Sequence, residues 1–140
     1  MKPTKIFYTA HATSTGGRSG HTETDDGLVA HDLATPKEMG GPGGATNPEQ
    51  LFAAGYAACF GSSIEFVARQ AKIAIGGVTV KADVGIGPAG SGFGLAVTLT
   101  ASIAGVDRAA AEELVAHAHE VCPYSNATRG NIDVAVLVED

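Results

Sequence analysis

Between residues 78 and 103 the apolar side chains fall at every second position. Val78, Val80, Ala82, Val84 and Ile86 form one series and Leu95, Val97, Leu99, Ala101 and Ile103 the other, on either side of GPAGSGFG. This alternation predicts a hairpin whose strands each turn one face to a core. The same pattern returns from Ile132 to Val138, a final strand. Between them the period changes: Asp107 caps RAAAEELVAHAHEV, whose stripe of Ala111, Leu114, Val115, Ala118 and Cys122 predicts a half-buried helix that Pro123 ends.

A second helix is predicted from Asn47 to about Lys72. Asn47 is a good cap, Pro48 suits the first helical position, and Gln50 stands where a capping box needs a glutamine. Its first four turns are apolar almost all round, with Leu51, Phe52, Tyr56, Cys59 and Phe60 among alanines and glycines, so it belongs at the centre of an assembly. Upstream, residues 3 to 10 read as a strand, ATSTGGRSG as a loop carrying Arg18, Leu28 to Leu33 as a short strand, and TPKEMGGPGGATNP as a loop. The sum is one α+β domain over residues 1–140, two helices covering an antiparallel sheet.

Composition narrows the classes. The 140 residues include 24 alanines and 19 glycines and no tryptophan, so helix and sheet can approach closely. A formal net charge of -6 and a pI near 5.2 leave no basic stripe for nucleic acid or an anionic membrane. The start, MKPTKIFYTA, lacks a signal-peptide core, and no run approaches 18 uninterrupted apolar residues, so a cytoplasmic protein is expected. In a reducing compartment two cysteines are either inert thiols or a redox pair that cycles.

Other patterns carry less. Gly85, Gly87 and Gly90 spell GxGxxG, but a strand follows where a dinucleotide site needs a helix. GGPGGA lacks the Lys-Ser/Thr of a phosphate loop. His117 and His119 point to different faces of one helix, and His11, His21 and His31 have no matching cysteine or carboxylate cluster, so no metal site is expected.

Cys59 can be read as a small packing residue or as a reactive thiol. Its own helix offers no cation within a turn, and the helix N-terminus is three turns away, so a reactive Cys59 needs charge from elsewhere. Arg69 and Lys72 sit at the far end of that helix and Arg108 begins the other; Arg18 and Arg129 remain, each on a polar loop. Cys122 ends a helix and is followed by PYSNATRG, a setting that lets a thiol move. One held cysteine and one hinged cysteine fit a peroxide-reducing dithiol better than a metal site or a permanent bridge.

TNPEQLFAAGYAACF at 46–60 and VCPYSNATRGNIDV at 121–134 resemble the two cysteine motifs of the organic hydroperoxide resistance (Ohr) proteins of the OsmC/Ohr superfamily. The resemblance extends over nearly the whole chain, including the Gly-Gly-Arg loop at 16–18. It implies antiparallel sheets around a long buried central helix in an intertwined homodimer, and a cysteine-based reductase of organic and fatty-acid hydroperoxides. By position, Cys59 would be the peroxidatic cysteine, Cys122 the resolving one, and Arg18 with Glu49 the pair that activates the thiolate. A lipoylated protein or other dithiol would be the reductant, with no cofactor and no metal. An OsmC-type peroxidase with another peroxide preference, or a redox-sensing or hydrophobic-ligand-binding protein on the same fold, are the alternatives.

Two magnitudes follow. A free thiol is a few per cent ionised at pH 7, so complete ionisation gains roughly 30-fold at most, and any larger effect of Arg18 must act on the transition state. Ten helical residues place Glu49 about 15 Å along the axis from Cys59. One arginine hardly spans that gap while touching both, so either the first turn is irregular or Glu49 comes from a partner subunit, the second being favoured.

Overall fold

The computed structural model describes residues 1–139. The chain forms two units, Met1–Leu51 and the remainder from Phe52.

In the first unit, β1 (Ala12–Thr15), β2 (His21–Thr24) and β3 (Ala30–Asp32) make an antiparallel sheet, with Thr13 opposite Glu23 and Thr22 opposite His31. The strand expected over residues 3–10 does not form. Its Ile6, Phe7 and Tyr8 are exposed and no neighbour offers a ladder; strand pairing begins at Ala12, inside the stretch expected to be a loop. Only Leu33 and Asn47 are buried here, so this unit has almost no core of its own.

The helix α1 (Pro48–Gln70) begins as its sequence predicts. The Asn47 Oδ1 accepts the Gln50 N–H at 2.9 Å, while the Gln50 side chain accepts from the Thr46 hydroxyl at 2.8 Å. By length and composition α1 could cross a membrane, yet Tyr56, Phe60, Ile64, Val67 and Ala68 are buried in the core of the second unit.

That unit continues with β4 (Val78–Ala89), β5 (Gly92–Ile103), α2 (Arg108–Val121), α3 (Pro123–Thr128) and β6 (Val134–Val138). The alternating strands pair along their length, Val78 with Ile103 and Ala89 with Gly92, and only Gly90 and Ser91 remain for the turn; Gly90 takes a φ of 56°. The helix α2 is capped by Asp107, whose carboxylate accepts the Ala110 N–H at 2.8 Å. Its predicted stripe joins α1 and the inward residues of β5 in one hydrophobic cluster.

Two details differ from the sequence reading. The last strand, β6, lies beside β5 and runs parallel to it, because α2 and α3 carry the chain back before it pairs. Residues 123–128, expected to be a mobile loop, form α3: the proline that ends α2 also has the fixed φ that suits the first position of a new helix.

Candidate active site

Cys59 lies in the middle of α1 and Cys122 at the junction of α2 and α3. The Cys122 backbone is extended, φ -63° and ψ 123°; its N–H still donates to Ala118 and its carbonyl already accepts from Asn126. It is a single non-helical residue between two helices. Both cysteines are free thiols, Cys122 fully buried and Cys59 partly exposed. The Cys122 S–H donates to the Cys59 sulfur at 3.8 Å. A disulfide bond is about 2 Å long, so closure requires a movement of about 1.8 Å.

Burial pushes the Cys59 thiol up to about 11, and the adjacent Cys122 adds to the rise; a main-chain hydrogen bond from Tyr124 pulls the other way. The free-thiol assumption of the sequence reading is therefore replaced. At pH 7 a thiol of this pKa is ionised in about one molecule in ten thousand.

Arg18 and Glu49 meet within the first unit. Two guanidinium nitrogens of Arg18 donate to the two carboxylate oxygens of Glu49, at 2.8 and 2.6 Å. Arg18 is held on a single 3-10 turn, Gly17–Ser19, entered through Gly16 and Gly17 at φ 82° and 57°. The loop closes on Gly20, where a Cβ would stand 1.7 Å from the Thr15 carbonyl oxygen. Glu49 occupies the first turn of α1, and its side chain is only 12% exposed. The bond to Arg18 holds its carboxyl below the usual range, against the opposing effect of burial.

The pair is made inside one chain, so Arg18 and Glu49 reach any reacting thiol together. Arg129, the other candidate cation, is engaged with Asn126 at 2.7 Å and with the carbonyl of His119. Among the described residues no three His, Cys, Asp or Glu side chains gather closely enough to hold a metal.

Five residues around the thiols were given no hydrogen-bonding or positioning part in the sequence reading. Tyr56, one turn before Cys59, and Ser125, three residues after Cys122, are joined hydroxyl to hydroxyl at 2.8 Å; Tyr56 also meets the Thr128 hydroxyl at 3.2 Å, and Ser125 meets His119 Nδ1 at 2.8 Å. The matching three-residue offset from each cysteine was the one signal available. Tyr124 packs its ring against Phe52 and Tyr56, with centroids 6.1 and 5.6 Å apart. Its hydroxyl occupies the space a Cβ at Gly55 would need, 2.9 Å away. Beside this cluster a cavity of about 720 Å³ is lined by Phe52, Phe93, Leu95, Tyr124 and Ile132.

The family model described as OsmC-like protein matches residues 41–136. The chain is 54% identical over 138 residues to the organic hydroperoxide resistance protein of Xanthomonas axonopodis pv. citri, covering 97% of each. It is 49% identical over 135 residues to the organic hydroperoxide resistance protein OhrB of Bacillus subtilis, covering 91% of this chain and 95% of that protein. An organic hydroperoxide resistance protein of known structure from Legionella pneumophila superposes with a TM-score of 0.94 at 55% identity, over 97% of this chain and 100% of that one. The α+β architecture is that of these structures, and organic hydroperoxide resistance is the role these relatives' names give. The chain belongs to the OsmC-like family, in its organic hydroperoxide resistance (Ohr) branch.

Proposed function

We propose that the chain is a thiol peroxidase that reduces organic hydroperoxides to alcohols through Cys59 and Cys122. The observation that carries this reading is the contact of two free sulfurs at 3.8 Å, one on a rigid helix and one at a break between helices. The Cys59 thiolate attacks the distal peroxide oxygen; the O–O bond breaks, the alkoxide takes a proton from water, and Cys59 becomes a sulfenic acid. Cys122 then attacks that sulfur, an S–S bond forms, and water leaves. A dithiol reductant, such as a lipoylated protein, exchanges with the disulfide and restores both thiols.

Such a site demands a cation, since Cys59 left to its burial is almost wholly protonated at pH 7. Arg18 is the candidate, with Glu49 as its positioning residue through the two-point contact. Bound near the reacting sulfur, the guanidinium stabilises the thiolate and then the charge developing on the departing oxygen. The apolar cavity beside Tyr124 suits an aliphatic or fatty-acid-derived peroxide.

A homodimer accounts for the exposed Ile6, Phe7, Tyr8 and Leu28 of a unit with so little core, and for the uncovered face of α1 at Ala54, Ala58 and Phe66. In that dimer the Arg18–Glu49 pair of one chain serves the Cys59 of the other.

Thiol titration with mass spectrometry after one equivalent of cumene hydroperoxide tests the reading. Wild type should yield a Cys59–Cys122 disulfide, and Cys122→Ser a Cys59 sulfenic acid. Retention of both thiols would end the peroxidase reading and leave a ligand-binding or sensing role.

A further inference from the structure

The two sulfurs are not the only link between the helices that carry them. Tyr56 and Ser125 are both fully buried, each three residues from its cysteine, and their hydroxyls bond α1 directly to α3 at 2.8 Å. A phenylalanine and an alanine would fill this apolar cluster without the cost of burying hydroxyls. The hydroxyls nevertheless form a satisfied set, since Tyr56 also meets Thr128 and Ser125 also meets His119 Nδ1. Apolar packing gives fit, whereas a hydrogen bond also fixes direction and distance.

Their placement gives that constraint a use. The chain breaks its helical path at Cys122 alone, so α2 and α3 can turn about that residue. On one side Ala118 anchors α2 in the core; on the other Ser125 pins α3 to α1. A hinge held on both sides can let its sulfur travel the short distance to Cys59 without wandering.

We propose that the Tyr56–Ser125 bond is a tether that presents Cys122 to Cys59, so that Tyr56 and Ser125 are positioning residues for disulfide closure and not for attack on peroxide. The proposal rests on the peroxidase reading for its biological meaning. In that setting closure, in which the sulfenic acid and the Cys122 thiol give a disulfide and water, competes with a second peroxide that converts the sulfenic acid to sulfinic acid and leaves as an alcohol. A slack tether favours the second route.

The test uses Tyr56→Phe, Ser125→Ala and the double variant, in two measurements. In a glutathione redox buffer, oxidised glutathione converts the two thiols to the disulfide and two reduced glutathiones, which reads the effective concentration of the pair without peroxide. Each variant should lower it about tenfold, and the double variant should fall well short of the roughly hundredfold that independent effects would give, because both single changes remove the same Tyr56–Ser125 bond. In rapid mixing with cumene hydroperoxide, sulfenic acid formation should stay within about twofold of wild type while closure slows about tenfold and sulfinic acid accumulates. Unchanged glutathione equilibria in folded Tyr56→Phe overturn the tether, as does equal slowing of both steps. If the wild type forms no sulfenic acid, the peroxidase reading fails, and the glutathione measurement still decides the tether.

Discussion

Arg18 and Glu49 meet fork to fork, at 2.8 and 2.6 Å, with Arg18 side chain one-third exposed and Glu49 nearly covered. Lysine can supply the charge of Arg18 but not its two parallel donors. Arg18→Lys should therefore retain part of the Cys59 activation that Arg18→Ala loses. Glu49→Gln, which weakens the fork while keeping its shape, should fall between wild type and Arg18→Ala in kcat/KM for an organic hydroperoxide.

The pH dependence separates the two tasks given to Arg18. Without it, Cys59 is left to burial and its neighbour, which put the thiol near 11. In a Cys122→Ser background, which removes the neighbour's share of that rise and leaves burial, alkylation of Cys59 by iodoacetamide should level off at a higher pH with Arg18→Ala than without it. If Arg18 also stabilises the transition state, the peroxide rate of Arg18→Ala stays below wild type even where the thiol is fully ionised. A variant whose plateau matches wild type would limit Arg18 to ionisation.

Mixing chains tests whether the pair acts across the proposed dimer. Arg18→Ala chains should be strongly impaired near pH 7 and Cys59→Ser chains inactive, but a heterodimer that shares sites regains one complete set. Peroxidase activity should approach one site per heterodimer after co-refolding; no recovery would place Arg18 and Cys59 of the same chain in one site.

Gly55 makes room for Tyr124. Alanine gains about 1 kcal/mol of helix propensity over glycine, but its Cβ stands 2.9 Å from the Tyr124 hydroxyl and 3.3 Å from the ring. Since Tyr124 is partly exposed, the ring can swing aside, and denaturant midpoints should change little. The cavity it lines should change shape. Gly55→Ala is expected to alter KM for long-chain hydroperoxides more than for tert-butyl hydroperoxide.

His119 gives a stability signature. Burial lowers its pKa, and the positive Arg129 lowers it further, while Glu120 opposes them. A histidine depressed in the folded state stabilises the fold above its unfolded pKa of about 6.5, and this contribution is lost as pH falls through the folded value. Urea unfolding should show stability declining below about pH 6.5, and His119→Gln, which cannot charge, should flatten that part of the curve.

Periodicity and end signals revealed most of the frame. The long hairpin, the Asn47 start of α1 and the Asp107 cap of α2 all follow from local chemistry. Residues 3–10 misled because an apolar run states a preference for extended backbone and says nothing of a neighbouring strand. The stretch after Cys122 misled because proline both ends and begins helices, and only the course of the chain decides which. At the site, the setting of Cys122 at a helix end was legible, whereas the setting of Cys59 left packing residue and reactive thiol both open, and only the family resemblance singled it out. The depth of its burial was not legible, nor was the Tyr56–Ser125 bond, since pairing across 69 residues leaves little mark on a single sequence.

The parallel seating of β6 on β5 has a bearing on the life of a new chain. The loop it closes contains α2, Cys122 and α3, so that crossover must be completed late, after the local hairpin has formed. During synthesis Cys59 emerges 63 residues before its partner sulfur. On the peroxidase reading proposed above, a Cys59 oxidised by peroxide before the crossover closes would have no internal thiol to rescue it, and the nascent protein would be the form most open to irreversible damage.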